Sequence, residues 1–162
     1  MRSLLLVLTG ATCLWSGAAN ADPFTATCEC GKSDPQHLLA AGDRADHSLG
    51  VETSKCSWSK PLDIGGDKTK ESVATDMIEI SGNTIHIHGV HELTMQSGDK
   101  VALPYQGSGV SKDNQESHSK GTFTFTEGTG KLKGIKGKGT FSCKSDGEGV
   151  KCNVQGDYEL GK

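Results

Sequence analysis

The chain has little apolar material and few aromatics. Hydrophobic residues make up 33% of its 162 positions and aromatics 5%. So thin a supply argues against a helical bundle or a thick α/β core. No apolar run reaches the ~18 residues of a membrane-spanning helix. The net charge, −3, is too small and too mixed for a nucleic-acid protein, and there is no heptad or collagen-like period. The glycines near the C-terminus do not form a phosphate loop: no Gly-Lys-Ser/Thr ends the run. Gln106-Gly107-Ser108-Gly109 is not a nucleophile elbow, which needs glycine two places before the serine. The carboxylates are scattered, and no catalytic pair stands out.

What is present begins with an address. Arg2 precedes an apolar stretch from Leu4 to Trp15, and Ala19 and Ala21 place small side chains at the −3 and −1 positions of a cleavage site. This is the layout of a secretory signal peptide over residues 1–21, so the chain is expected to be exported, to a periplasm or the cell exterior. The remaining 141 residues carry sixteen basic and twenty acidic side chains, for a charge of −4, and no further membrane span.

Glycine is abundant, and much of it marks turns. Turn signals fall at Gly65-Gly66-Asp67, Gly82-Asn83, Gly98-Asp99, Asp113-Asn114, Gly128-Thr129-Gly130 and Asp146-Gly147. Gly, Asn and Asp tolerate the positive φ that tight hairpins need. Between the turns, apolar and polar residues alternate, as in Thr122-Phe123-Thr124-Phe125-Thr126. Turns 15 to 18 residues apart imply long antiparallel strands in a meander. Long strands of this kind close on themselves, which removes exposed edges. The expected fold is therefore all-β: a single antiparallel up-and-down β-barrel of seven to nine strands over residues 42–162. A flattened β-sandwich is the alternative. Residues 22–41 read as an N-terminal segment with a two-turn helix from Pro35 to Ala41, started by Ser33-Asp34-Pro35 and stopped at Gly42. Near residue 134 the alternation slips phase, which reads as a bulge or bend. Gly137 and Gly139 then leave room on the inner side for a bulky neighbour or a ligand.

The run from Gly128 to Phe141, with Gly130, Gly134, Gly137 and Gly139 inside it, resembles the glycine-rich hairpin of allene oxide cyclase-like and dirigent-like β-barrels. It is also similar to small secreted bacterial proteins related to that calycin-like group. Residues 42–48, followed by Cys56-Ser57-Trp58-Ser59-Lys60-Pro61, are similar to the opening of those bacterial proteins. The resemblance spans roughly residues 42–160 and implies a barrel with an internal cavity. Members of the wider group cyclise a fatty-acid epoxide or guide radical coupling of phenols, but their functional residues find no match here.

Five cysteines follow the leader: Cys28, Cys30, Cys56, Cys143 and Cys152. Export favours disulfides. Cys143 and Cys152 flank a turn and are expected to pair across a hairpin; Cys56 is expected to pair with Cys28 or Cys30, leaving one thiol over.

Three histidines, His86, His88 and His91, lie within six residues. On a strand His86 and His88 share a face, and His91 joins them only if Gly89 hosts a bulge. With a third ligand such as His91, His118 or Glu92, they could hold Zn or Cu. The alternative is a solvent-facing polar face. If they face inward instead, they become candidates for acid–base chemistry. Lys131, Lys133, Lys136 and Lys138 form a basic stripe that could meet polyanions, or simply a solvated face.

Three functions follow. The first is a non-enzymatic exported barrel binding a small apolar or amphipathic ligand, lined by Trp58, Tyr105, Phe123, Phe125 and Phe141. The second is a cyclase-like or dirigent-like barrel enzyme using His86 or His88. The third is a periplasmic metal binder using His86, His88 and His91. No cofactor is evident otherwise.

Overall fold

The computed structural model describes residues 21–112, 115–145 and 148–161. Nearly all of it is strand: β1 (Asp22–Gly31), β2 (Gln36–Ala40), β3 (His47–Lys60), β4 (Asp63–Ile64), β5 (Asp67–Ser81), β6 (Thr84–Met95), β7 (Lys100–Lys112), β8 (Gln115–Phe125), β9 (Glu127–Gly128), β10 (Lys136–Ser145) and β11 (Gly149–Glu159). The ladder runs β3-β1-β11-β10-β8-β7-β6-β5, and β5 pairs back onto β3. Eight antiparallel staves therefore close a barrel, and β2, β4 and β9 are short additions. An unbroken ladder around the circuit excludes the flattened sandwich. Closure satisfies the backbone groups that an open edge would leave to solvent. No helix among the described residues is long and apolar enough to cross a membrane.

Local turn chemistry sets much of the register. β4 and β5 are joined through Gly65 and Gly66, whose φ values of +60° and +89° suit a two-residue hairpin turn. β5 and β6 pair from Ser81↔Thr84, leaving Gly82 and Asn83 as the turn. The predicted turns at 113–114 and 146–147, like the first 20 residues of the 1–21 leader, lie outside the described residues. The ladders reach Lys112↔Gln115 and Ser145↔Val150 on either side of those turns.

Three expectations give way. Residues 36–40 form no helix; they are β2, paired with β3 from Gln36↔Glu52 to Ala40↔Ser48. A segment this short cannot repay helix nucleation by itself, whereas the adjacent strand offers a complete ladder. At residues 131–135 the lost alternation is no bulge within a strand. The chain makes a 3-10 turn at Gly130–Leu132, then turns again at Gly134, where φ is +79°. Leu132 and Ile135 are thereby tucked under the barrel, 1% and 2% exposed. β1, set apart from the barrel in the sequence, is one of its staves, lying between β3 and β11.

The interior divides along the barrel axis. At the end where β4 and the 3-10 turn fold under, Leu62, Ile64, Met95, Leu132 and Ile135 form a solid plug, with Phe24, Phe125 and Tyr158 packed into it. Toward the other end the core thins to Ile78, Ile80, Ile85 and Ile87. Glycines make the aromatic packing feasible. A side chain at Gly139 would strike the ring of Phe123, and one at Gly107 or Gly121 would strike Phe141.

Two disulfides, Cys30–Cys56 and Cys143–Cys152, join directly opposed residues on adjacent strands. Such bridges suit an oxidising compartment. Cys28 is the remaining thiol among the described residues, and it is buried.

Candidate functional site: a chamber in the open half of the barrel

Between the plug and the thinner end lies a cavity of about 150 Å³. Phe123, Phe141 and Leu103 line it on the plug side, and Ile78, Ile85 and Ile87 supply aliphatic wall. Trp58, Asp76, His91 and Tyr105 face it from β3, β5, β6 and β7. Lys32, Ser33, Gln36, Glu52 and Glu148 line it as well, from the β1–β2 link, β2, β3 and the residue before β11. The lining thus pairs an apolar wall with a polar set contributed largely from one end of the barrel.

Strand alternation explains the set. On β5 the inward phase carries Ser72, Ala74, Asp76, Ile78 and Ile80, all buried. Asp76 is therefore a carboxylate placed by period 2 on the apolar face. The Tyr105 hydroxyl donates to it. Gly89 makes room for this contact, since a side chain there would strike both Asp76 and Tyr105. Tyr105 also meets Phe141 edge-on, with centroids 5.6 Å apart and planes at 83°.

A second network ties Trp58, Ser72 and His91. The Trp58 indole Nε1–H donates to Ser72 Oγ at 2.9 Å, and His91 Nε2 lies 2.8 Å from the same oxygen. Burial pushes the His91 imidazole down to a pKa of about 4, so the ring is neutral at neutral pH. Ser72 Oγ accepts from the indole, which can only donate, and shares a second hydrogen bond with His91 Nε2. The Ser72–His91 pair is not a nucleophilic dyad: Ser72 is 3% exposed and does not line the cavity. It positions the Trp58 and His91 rings. His91 also lies near the Cys30 and Cys56 sulfurs, the three donor atoms falling within 4.8 Å of one another. Those sulfurs are bonded to each other and offer no thiolate to a metal.

Of the candidate ligand residues, Trp58, Tyr105, Phe123 and Phe141 line the chamber, while Phe125 lies deeper, against Phe123 and Tyr158 in the plug. The histidines separate. The β5–β6 register runs unbroken through Asp76↔Gly89 and Ala74↔His91, so no bulge shifts the phase. His86 and His88 stay on the exposed outer face and His91 points in. Strict alternation thus keeps the three from meeting around one ion, and it removes His86 and His88 from interior acid–base chemistry. Glu92 is exposed and paired with Lys100 at 2.6 Å, and His118 is exposed beside Ser117. The lysine stripe is split, with Lys131 and Lys133 in the connection and Lys136 and Lys138 on β10, all exposed. Asp76 and Ser72 went unnoticed in the sequence. Their signal was a polar residue on the same phase as Ala74, Ile78 and Ile80.

Outside the barrel, His47 bridges Asp43 Oδ1 at 2.6 Å and Glu79 Oε1 at 3.0 Å. The Asp43 hydrogen bond raises the His47 pKa, and the same bond lowers that of Asp43.

No protein-family model matches the chain, and no curated protein does either. Among solved structures, a pterocarpan synthase dirigent protein matches with a TM-score of 0.51 and 10% identity, covering 96% of this chain and 98% of that one. At this identity the likeness is one of fold alone, and the site must be read from this chain's own residues.

Proposed function

We propose that this chain is an exported dirigent-like barrel that binds a small apolar or amphipathic molecule in its chamber. The observation that carries the reading is the cavity of about 150 Å³ walled by Trp58, Tyr105, Phe123 and Phe141. An apolar cavity of roughly that size accommodates a single aromatic ring. A polar part of the lining, contributed by Lys32, Gln36, Glu52 and Glu148, suits a ligand with one polar end. Export is supported by the leader-like residues 1–21 and by two disulfides. The glycine-rich run supports kinship with the secreted bacterial proteins of the calycin-like group.

The test is ligand-observed and protein-observed NMR on the chain from Asp22 with single-ring aromatics. Binding should shift the Trp58 indole N–H resonance. Ala74→Phe, which fills the chamber, should abolish the shift while leaving the fold intact. Binding that persists in a folded Ala74→Phe protein would place the ligand elsewhere and sink the reading.

A second reading, steering of a reactive aromatic substrate, draws on the Tyr105–Asp76 pair in the chamber wall. A phenol hydrogen-bonded to a carboxylate can relay a proton to a bound molecule. Loss of turnover in Tyr105→Phe with binding retained would select it.

A further inference from the structure

We propose that the chamber selects a small organic cation, an ammonium carried on one ring or a short alkyl group, over a neutral molecule of the same shape. The inference rests on the reading of the chamber as a ligand site and names the chemistry that site prefers.

Three carboxylates line the cavity, Asp76, Glu52 and Glu148, against one ammonium, Lys32. The other titratable groups that line it do not offset this balance. His91 is neutral, and burial pushes the Cys28 thiol up to about 12, so it carries no charge. Tyr105 is a neutral phenol that donates to Asp76, and Gln36 Nε2 donates to Glu52 Oε2 at 2.7 Å. Both bonds fix acceptor oxygens at the chamber wall. With its carboxylates ionised the lining carries a formal excess of negative charge, and a partly enclosed cavity screens that charge less than bulk water would.

The aromatic wall acts in the same sense. Trp58, Tyr105, Phe123 and Phe141 converge on the cavity from four strands. Aromatic faces carry negative quadrupolar potential and attract ammonium groups, with tryptophan the strongest. The Trp58 indole is held by its bond to Ser72 and by stacking on His91, centroids 6.0 Å apart, so its orientation is set before a ligand arrives. A neutral ring would gain apolar burial alone. An anion would meet three carboxylates.

The experiment uses three probes of nearly equal shape at pH 7: benzylammonium, benzyl alcohol and benzoate. Each is titrated into the chain from Asp22, with the Trp58 indole resonance and calorimetry as readouts. Benzylammonium should bind at least about tenfold tighter than benzyl alcohol, and benzoate weakest. Asp76→Asn should weaken benzylammonium several-fold more than it weakens benzyl alcohol, because it removes one of the lining carboxylates and keeps an acceptor oxygen for Tyr105. Glu52→Gln, further from the buried core, should give a smaller loss and serves if Asp76→Asn does not fold. Equal binding of benzylammonium and benzyl alcohol would overturn the cation preference and leave the chamber reading standing. No shift at Trp58 with any probe would overturn both.

Discussion

The His91 imidazole lies nearly parallel to the Trp58 indole, planes 23° apart, and both rings reach the hydroxyl of Ser72. One buried serine thus fixes two rings of the chamber wall, and the charge state of His91 becomes part of the fold.

Protonating His91 should cost stability. Its pKa is depressed from 6.5 to about 4 by burial, so the unfolded chain takes up the proton more readily than the folded one. The stability this neutral ring preserves is full above about pH 6.5 and is lost as pH falls through the window toward 4. The loss is at most roughly 3 kcal/mol. Urea unfolding between pH 7 and pH 4 should show the decline, and His91→Gln should flatten it. An NMR titration placing His91 near 6.5 would refute the assignment.

His47 should behave in the opposite sense. Its pKa is raised by Asp43 and Glu79, so its contribution is full below the unfolded value and is lost as pH rises through the raised one. Asp43, with its pKa lowered, contributes above its unfolded value and loses that contribution as pH falls through the lowered one. Glu79→Gln should move the His47 titration downward. An unchanged midpoint would show that the Glu79 contact has no electrostatic effect.

Gly139→Ala should destabilise the barrel although it adds a single methyl. That methyl would meet the Phe123 ring and the Gln155 carbonyl, neither of which can withdraw without disturbing the ladder. A cost of about 1–3 kcal/mol is expected from chemical denaturation. A matched exposed change, Lys138→Ala on the outer face, should cost well under that.

Leu62→Ala tests the plug. Leu62 is fully buried beneath the barrel end, so its truncation should cost about 2–5 kcal/mol. Ligand binding at the far chamber should persist at temperatures where the variant is folded.

Cys28 should resist alkylation in the folded protein. It is 2% exposed, and its thiol pKa is pushed up to about 12. In the chain from Asp22, iodoacetamide should modify one cysteine per chain only after denaturation without reductant. Rapid labelling of the native state, mapped to Cys28, would contradict the assigned bridges or its burial.

Much of this architecture is legible in the amino-acid order because it is enforced locally. Positive-φ turns at Gly65-Gly66 and Gly82-Asn83 and the two-residue alternation of Phe123 and Phe125 need only neighbouring residues to take effect. Where a choice depended on a distant partner, the sequence was ambiguous. Residues 36–40 carried helix signals, yet an available edge of β3 drew them into a strand. His91 belonged with His86 and His88 by proximity in the chain, and the continuous register of β6 against β5 through Gly89 placed it inside.

By itself, then, the sequence determined an all-β chain of long staves joined by tight turns, since turn chemistry and alternation are properties of adjacent residues. The tertiary structure alone decided that the barrel is half plug and half chamber. That outcome depends on two connections, one carrying Leu62 and the other Leu132, folding under the same barrel end. It depends equally on four strands turning Trp58, Asp76, His91 and Tyr105 toward one space, and closing the sheet brings those residues together from positions far apart in the chain.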